Sequence, residues 1–140
     1  MFYGNNPQET RAFFFNAWQK HCKKLEATPL EQQIIQVILD HPEYHKMLNA
    51  PQAAHQQYFP EQGQSNPFLH MGLHIALREQ VSTDRPAGIM ALYKKLLHKH
   101  DVHEVEHQMM DCLAEAIWVA QRAQRMPDEI AYLTQLKKLL

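Results

Sequence analysis

The sequence predicts an all-α fold, a single compact helical bundle of about five to six helices with a buried central helix. Three observations predict it. Only 4 glycines occur in 140 residues, and no segment alternates strictly between apolar and polar as a half-buried strand would. The periodic stretches are dominated by Ala, Leu, Gln, Glu, Lys and Met, which lose little on entering a helix. A capping residue followed by proline recurs at Thr28-Pro29 and Asn66-Pro67, the order that opens helices. An apolar fraction of 45% fills one core at this length, so one helical domain over 1–140 is expected.

The elements follow in order. A first helix is expected from Pro7 to Lys24, with Phe13, Phe14, Ala17, Trp18 and Cys22 at helical spacing and Lys20, Lys23 and Lys24 suiting its C-terminal end. The second starts at Thr28, where Glu31 closes a capping box, and buries Ile34, Ile35, Ile38 and Leu39. A short piece from Pro42 to Leu48 precedes a long Gln-rich segment, 49–65, in which Tyr58 and Phe59 suggest packing against the body. The third helix, Pro67 to Val81, is apolar on nearly every side, which makes it the central one. After a break over 82–86 a fourth helix runs to about His98. Asp101 and Glu104 cap a fifth, ending near Arg125, whose inward stripe is Val102, Val105, Met109, Cys112, Leu113, Ala116 and Ala120. Pro127 starts a short sixth helix with Ile130, Leu133 and Leu136 on one face.

Charge narrows the classes of function. Lys and Arg total 14 against 15 Asp and Glu, so no basic field exists to neutralise a phosphate backbone. Nucleic acid is disfavoured as a partner; a clustered face of Lys94, Lys95, Lys99, Arg122 and Arg125 would be needed to support it. No apolar run approaches a membrane span, and the N-terminus lacks the pattern of a secretory leader, so no membrane partner is expected. Cys22 and Cys112 are too few and too far apart for a disulfide framework or a CxxC site, and both are expected to be buried thiols of a cytoplasmic protein. Nucleophile elbow, phosphate loop, HExxH and dinucleotide fingerprints are absent.

The histidines are the unusual feature. Ten occur, and three pairs sit four apart: His41 with His45, His70 with His74, His103 with His107. Random placement (136 windows times the square of 10/140) gives about 0.7 such pairs, and the spacing puts both rings on one helix face. Such a pair is a common way to offer two imidazoles to one metal, with carboxylates from a facing helix completing the shell. His70 and His74 fall beside Leu73 and Leu77 on the central helix, while Glu106 falls within the inward stripe of the fifth, with His103 at its edge. A carboxylate there needs a partner, and His70, His74 and Arg78 are the candidates; the expectation is that His70, His74 and Glu106 meet in the core. The candidate metal ligands are therefore His70, His74, His103, Glu106 and His107, for a divalent ion such as zinc or iron. Glu104-x-x-His107 lacks the second copy that a di-iron bundle requires. The plainer reading of the same residues is a structural polar network that fixes helix register. For His41 and His45 the plainer reading is stronger, because Pro42 lies between them at a helix start, where His41 would cap or face water.

The block Asn66-Pro67-Phe68-Leu69-His70-Met71-Gly72-Leu73-His74-Ile75-Ala76-Leu77-Arg78-Glu79-Gln80 resembles the signature of a bacterial family, domain-of-unknown-function family 1841. Arg11 to Phe15, His41-Pro42-Glu43-Tyr44-His45 and the stretch Glu106 to Glu115 resemble it as well, so the likeness covers almost the whole chain. It implies a small bacterial cytoplasmic protein and supplies no activity, cofactor or catalytic residue. Two functions follow from the residues: an interaction or accessory module that binds a protein partner or a second copy of itself, and, as the alternative, a metal-binding bundle with hydrolase or transferase chemistry.

Overall fold

The structure, a computed structural model, describes residues 7–50 and 66–140. Among them are seven α-helices and no strand: α1 (Pro7–Cys22), α2 (Pro29–Leu39), α3 (His45–Leu48), α4 (Pro67–Thr83), α5 (Ile89–Leu97), α6 (Val102–Arg122) and α7 (Glu129–Lys137), with a 3-10 turn at Pro42–Tyr44 leading into α3. The all-α class is as predicted, and the one helix beyond the predicted number is the single turn α3. The segment from Pro51 to Gln64, with Tyr58 and Phe59, lies outside the described residues. The chain divides into two compact units, 1–75 and 76–140, the division falling within α4.

In the first unit α1 packs on α2 and α3. Its core is Phe14, Ala17, Trp18, Ile34, Val37, Ile38, Leu48, Phe68, Met71 and Ile75. The aromatic run splits by helical geometry: Phe14 and Trp18, four apart, are buried, whereas Phe13 points outward. The helix stops at Cys22 rather than Lys24 because Lys24 takes a positive φ of 57° that ends the α1 ladder. Cys22 is consequently exposed, not buried as expected. At α2 the capping box forms: the Glu31 N–H donates to Thr28 Oγ1 (3.2 Å) and the Thr28 N–H to Glu31 Oε1 (2.9 Å). Lys20 Nζ also donates to that oxygen at 2.9 Å and, with the Thr28 N–H, holds the Glu31 carboxyl below its usual range. The buried stripe of α2 is Ile34, Val37 and Ile38, while Leu39, assigned inward by spacing, is exposed.

In the second unit α5, α6 and α7 pack on one another. The buried side chains include Leu77, Ile89, Leu92, Leu96, Val105, Met109, Leu113, Tyr132 and Leu136. After the break, helix α5 begins at Ile89, because Gly88 has φ +100°, which glycine tolerates without a Cβ clash, and Asp84 Oδ1 accepts from the N–H groups of Gly88 and Met90. Asp101 caps α6 by accepting from the Glu104 N–H at 2.8 Å. Val102 at its first position is exposed, since the first turn of α6 overhangs the packed stripe. In α7 the inward residues are Tyr132 and Leu136; Ile130, placed on that face by spacing, is 79% exposed. Asp128 rather than Pro127 sets the start, accepting from the Ala131 N–H at 3.0 Å.

Candidate metal centre

Two residues beyond the end of α2, the chain turns at His41, and its imidazole folds back over the helix. His41 Nδ1 donates to the Val37 carbonyl at 2.8 Å. His45 does the same one residue on, its Nε2 donating to the Ile38 carbonyl at 2.8 Å. Both satisfy carbonyls in the last turn of α2, where a helix leaves them without intrahelical partners and presents the negative end of its dipole. His41 is 3% exposed, so the expectation that it caps the following helix or faces water is corrected: it is buried and makes no side-chain cap. A carbonyl only accepts, so in the neutral ring the hydrogen sits on Nδ1 and Nε2 carries a lone pair. That Nε2 is buried and has no hydrogen-bond partner among the described residues.

Helix α4 brings two more imidazoles to the same place. Asn66 starts α4, its Oδ1 accepting from the N–H groups of Phe68 (3.0 Å) and Leu69 (3.2 Å), and this fixes the phase of the helix. With Phe68, Met71 and Ile75 turned into the core, His70 and His74 share the adjacent face, His74 1% exposed and His70 half-buried. Their Nε2 atoms are 3.2 Å apart. The ring centroid of His41 is 5.1 Å from that of His70 and 4.8 Å from that of His74. Each of the three offers a ring nitrogen, and these nitrogens lie within 4.8 Å of one another. Tyr44 stacks parallel on His41 at 5.4 Å and meets His70 edge-on at 6.5 Å. Burial, reinforced by the charge of Glu43, pushes its hydroxyl pKa up, so it stays protonated.

The second unit holds polar groups of another kind. Glu106 on α6, 5% exposed, accepts from Arg78 Nε at both carboxylate oxygens and from Arg78 Nη2 at Oε1, each at 3.2 Å. Arg78, one of the partners considered for it from the sequence, thus neutralises the charge. Beside the pair lies a cavity of about 220 Å³ lined by Leu77, Val81, Ser82 and Tyr93. Burial and the neighbouring Glu106 charge raise the Tyr93 pKa, against the influence of Arg78. His103 and His107 pack against each other along α6, centroids 4.1 Å apart with the rings tilted by 57°, His103 exposed and His107 half-buried. Cys112 is half-buried, and burial followed by the charge of Asp111 pushes its thiol up, the opposite of nucleophile activation.

Of the residues singled out in the sequence, His70 with His74 and His103 with His107 form close ring pairs, while Glu106 is engaged by Arg78. The residue passed over was His41. The available signal was a histidine just past the apolar stripe of a helix, where an imidazole can cap the last carbonyls.

The molecule is thus an all-α chain with a buried imidazole cluster in one unit and a buried ion pair in the other. It belongs to the family described as Domain of unknown function (DUF1841), whose model matches residues 6–138. No curated protein and no solved structure matches the chain. No described helix is long and apolar enough to cross a membrane.

Proposed function

We propose that this protein binds a divalent metal ion through His70 and His74 of α4. One observation carries the reading: the two Nε2 atoms, on a buried helix face, are 3.2 Å apart. Two nitrogens on one tetrahedral ion, each about 2.1 Å from it, stand about 3.4 Å apart. Imidazole donors suit zinc or iron and suit magnesium or calcium poorly. His103, Glu106 and His107 belong to the same reading as candidate ligands on α6. Glu106 has less to offer, because Arg78 N–H groups already reach both of its oxygens. A metal with an open position would activate water, the chemistry of a hydrolase or transferase.

The test is metal content by plasma mass spectrometry on tag-free protein purified without chelators or nickel resin. Near-stoichiometric metal in the wild type that vanishes in the His70→Ala, His74→Ala double variant supports the reading. A parallel His103→Ala, His107→Ala variant tests the α6 pair by itself. Metal-free protein from metal-replete cells would falsify the reading and leave the imidazoles as a hydrogen-bonded network.

A second reading, an accessory module that docks on a protein partner or a second copy of itself, is favoured by a different observation. Trp118, Met126 and Ile130, at the end of α6 and the start of α7, are 51%, 82% and 79% exposed. Large apolar side chains exposed at a helix junction are the kind of surface a partner covers. Sedimentation of the wild type and of Trp118→Ala, Ile130→Ser tests self-association: a monomer at all concentrations rules out the second copy.

A further inference from the structure

His41 is a ring held on every side with one nitrogen left over. Its Nδ1 is committed to the Val37 carbonyl, one face lies on Tyr44, and the rings of His70 and His74 meet it at 83° and 61°. Packing explains an aromatic ring at this position, and helix capping explains Nδ1. Neither explains Nε2, a buried acceptor without a donor among the described residues, which natural cores rarely retain without a reason. Metal-ligating histidines show this same division: one nitrogen hydrogen-bonded to a carbonyl, which fixes tautomer and ring plane, and the other bearing the lone pair.

We propose that His41 supplies a third nitrogen ligand, through Nε2, to the ion that His70 and His74 hold. The inference rests on the metal-binding reading above and extends it to a residue outside α4. The ligand set becomes three neutral imidazoles, which commits the ion to the zinc, iron, nickel and copper class. The Val37 carbonyl is then the orienting group behind the metal, so the ion ties the last turn of α2 to α4. The His70–His74 nitrogens already stand at the separation one ion requires, and the three imidazoles offer ring nitrogens within 4.8 Å of one another.

His45 provides the internal control. It caps the neighbouring carbonyl of the same helix end with the same 2.8 Å geometry, but its ring packs on Trp18 at 4.5 Å. Zinc affinity is measured by competition with a chromogenic chelator on the full chain, for the wild type, His41→Ala, His41→Phe and His45→Ala. His41→Phe keeps an aromatic ring against Tyr44 and lacks both nitrogens, so loss of binding by a variant with wild-type circular dichroism is not misfolding. Losing an orienting partner alone weakens metal sites about 10- to 100-fold, so both His41 variants are expected to bind zinc at least about 100-fold more weakly, with His45→Ala unchanged. X-ray absorption of the zinc-loaded wild type is expected to show at least three imidazoles, and His41→Phe one fewer. If His41→Phe binds zinc as the wild type does, with an unchanged imidazole count, the third ligand is refuted while the His70–His74 reading stands. If the wild type binds none of zinc, iron, nickel or copper, both fall. If magnesium or calcium competes with zinc at equal concentration, the assigned class of ion is wrong.

Discussion

Each unit of this chain buries a polar cluster, and the two clusters are solved differently. Glu106 and Arg78 in the second unit compensate each other: a carboxylate that accepts three contacts from a guanidinium that still reaches solvent along a third of its surface. His41, His70 and His74 in the first unit bring three imidazole rings together, and among the described residues the buried His41 Nε2 has no hydrogen-bond partner. A paired cluster is complete within the protein. An imidazole cluster with a spare lone pair has a ring nitrogen that the proposed metal ion would engage. The difference separates residues that hold a fold together from residues available to a ligand.

The largest effect that tests this contrast belongs to the ion pair. Arg78→Ala leaves the Glu106 carboxylate buried without its cation and is expected to cost about 3–5 kcal/mol in urea unfolding, whereas joint replacement by Met at 78 and Leu at 106 restores most of it. In metal-free protein, His41→Phe is expected to cost only about 1–2 kcal/mol, chiefly the capping bond to Val37. Equal losses for the two would erase the distinction. Zinc at a hundred times its dissociation constant is expected to stabilise the wild type by about 2.7 kcal/mol and to leave the His70→Ala, His74→Ala variant unmoved. Thermal melts with and without zinc measure it.

Smaller effects test the first unit's helix start. Thr28→Ala removes the α2 cap and is expected to cost about 1 kcal/mol. Because Lys20 and the Thr28 N–H depress the Glu31 pKa in the folded protein, its contribution is present above the ordinary value of 4.5 and is lost as pH falls through the folded one. Glu31→Gln is therefore expected to flatten the acid limb of a stability–pH curve. The two thiols differ in rate alone: Cys22, exposed, is expected to react with an aromatic disulfide at neutral pH well before Cys112, which is half-buried with its pKa raised. Equal rates would place Cys112 in a less protected environment.

The all-α class, the caps at Thr28, Asn66 and Asp101, the apolar character of α4 and the pairing of His70 with His74 on one face were all legible in the sequence. They depend on periodicity and on side-chain to backbone bonds only two or three residues long. What spacing misassigned lay at the edges of helices: Cys22, Leu39, Val102 and Ile130 sit at helical positions, yet they are exposed. Only the tertiary structure decided that. Periodicity fixes which residues share a face, but burial depends on what another element lays over it. His41 was hidden for the same reason, since its role arises where the backbone turns after α2 and presents one ring nitrogen to a carbonyl and the other to the face of a helix distant in sequence. A local pattern names the two histidines of one helix; a third imidazole brought beside them by a turn is set by packing alone.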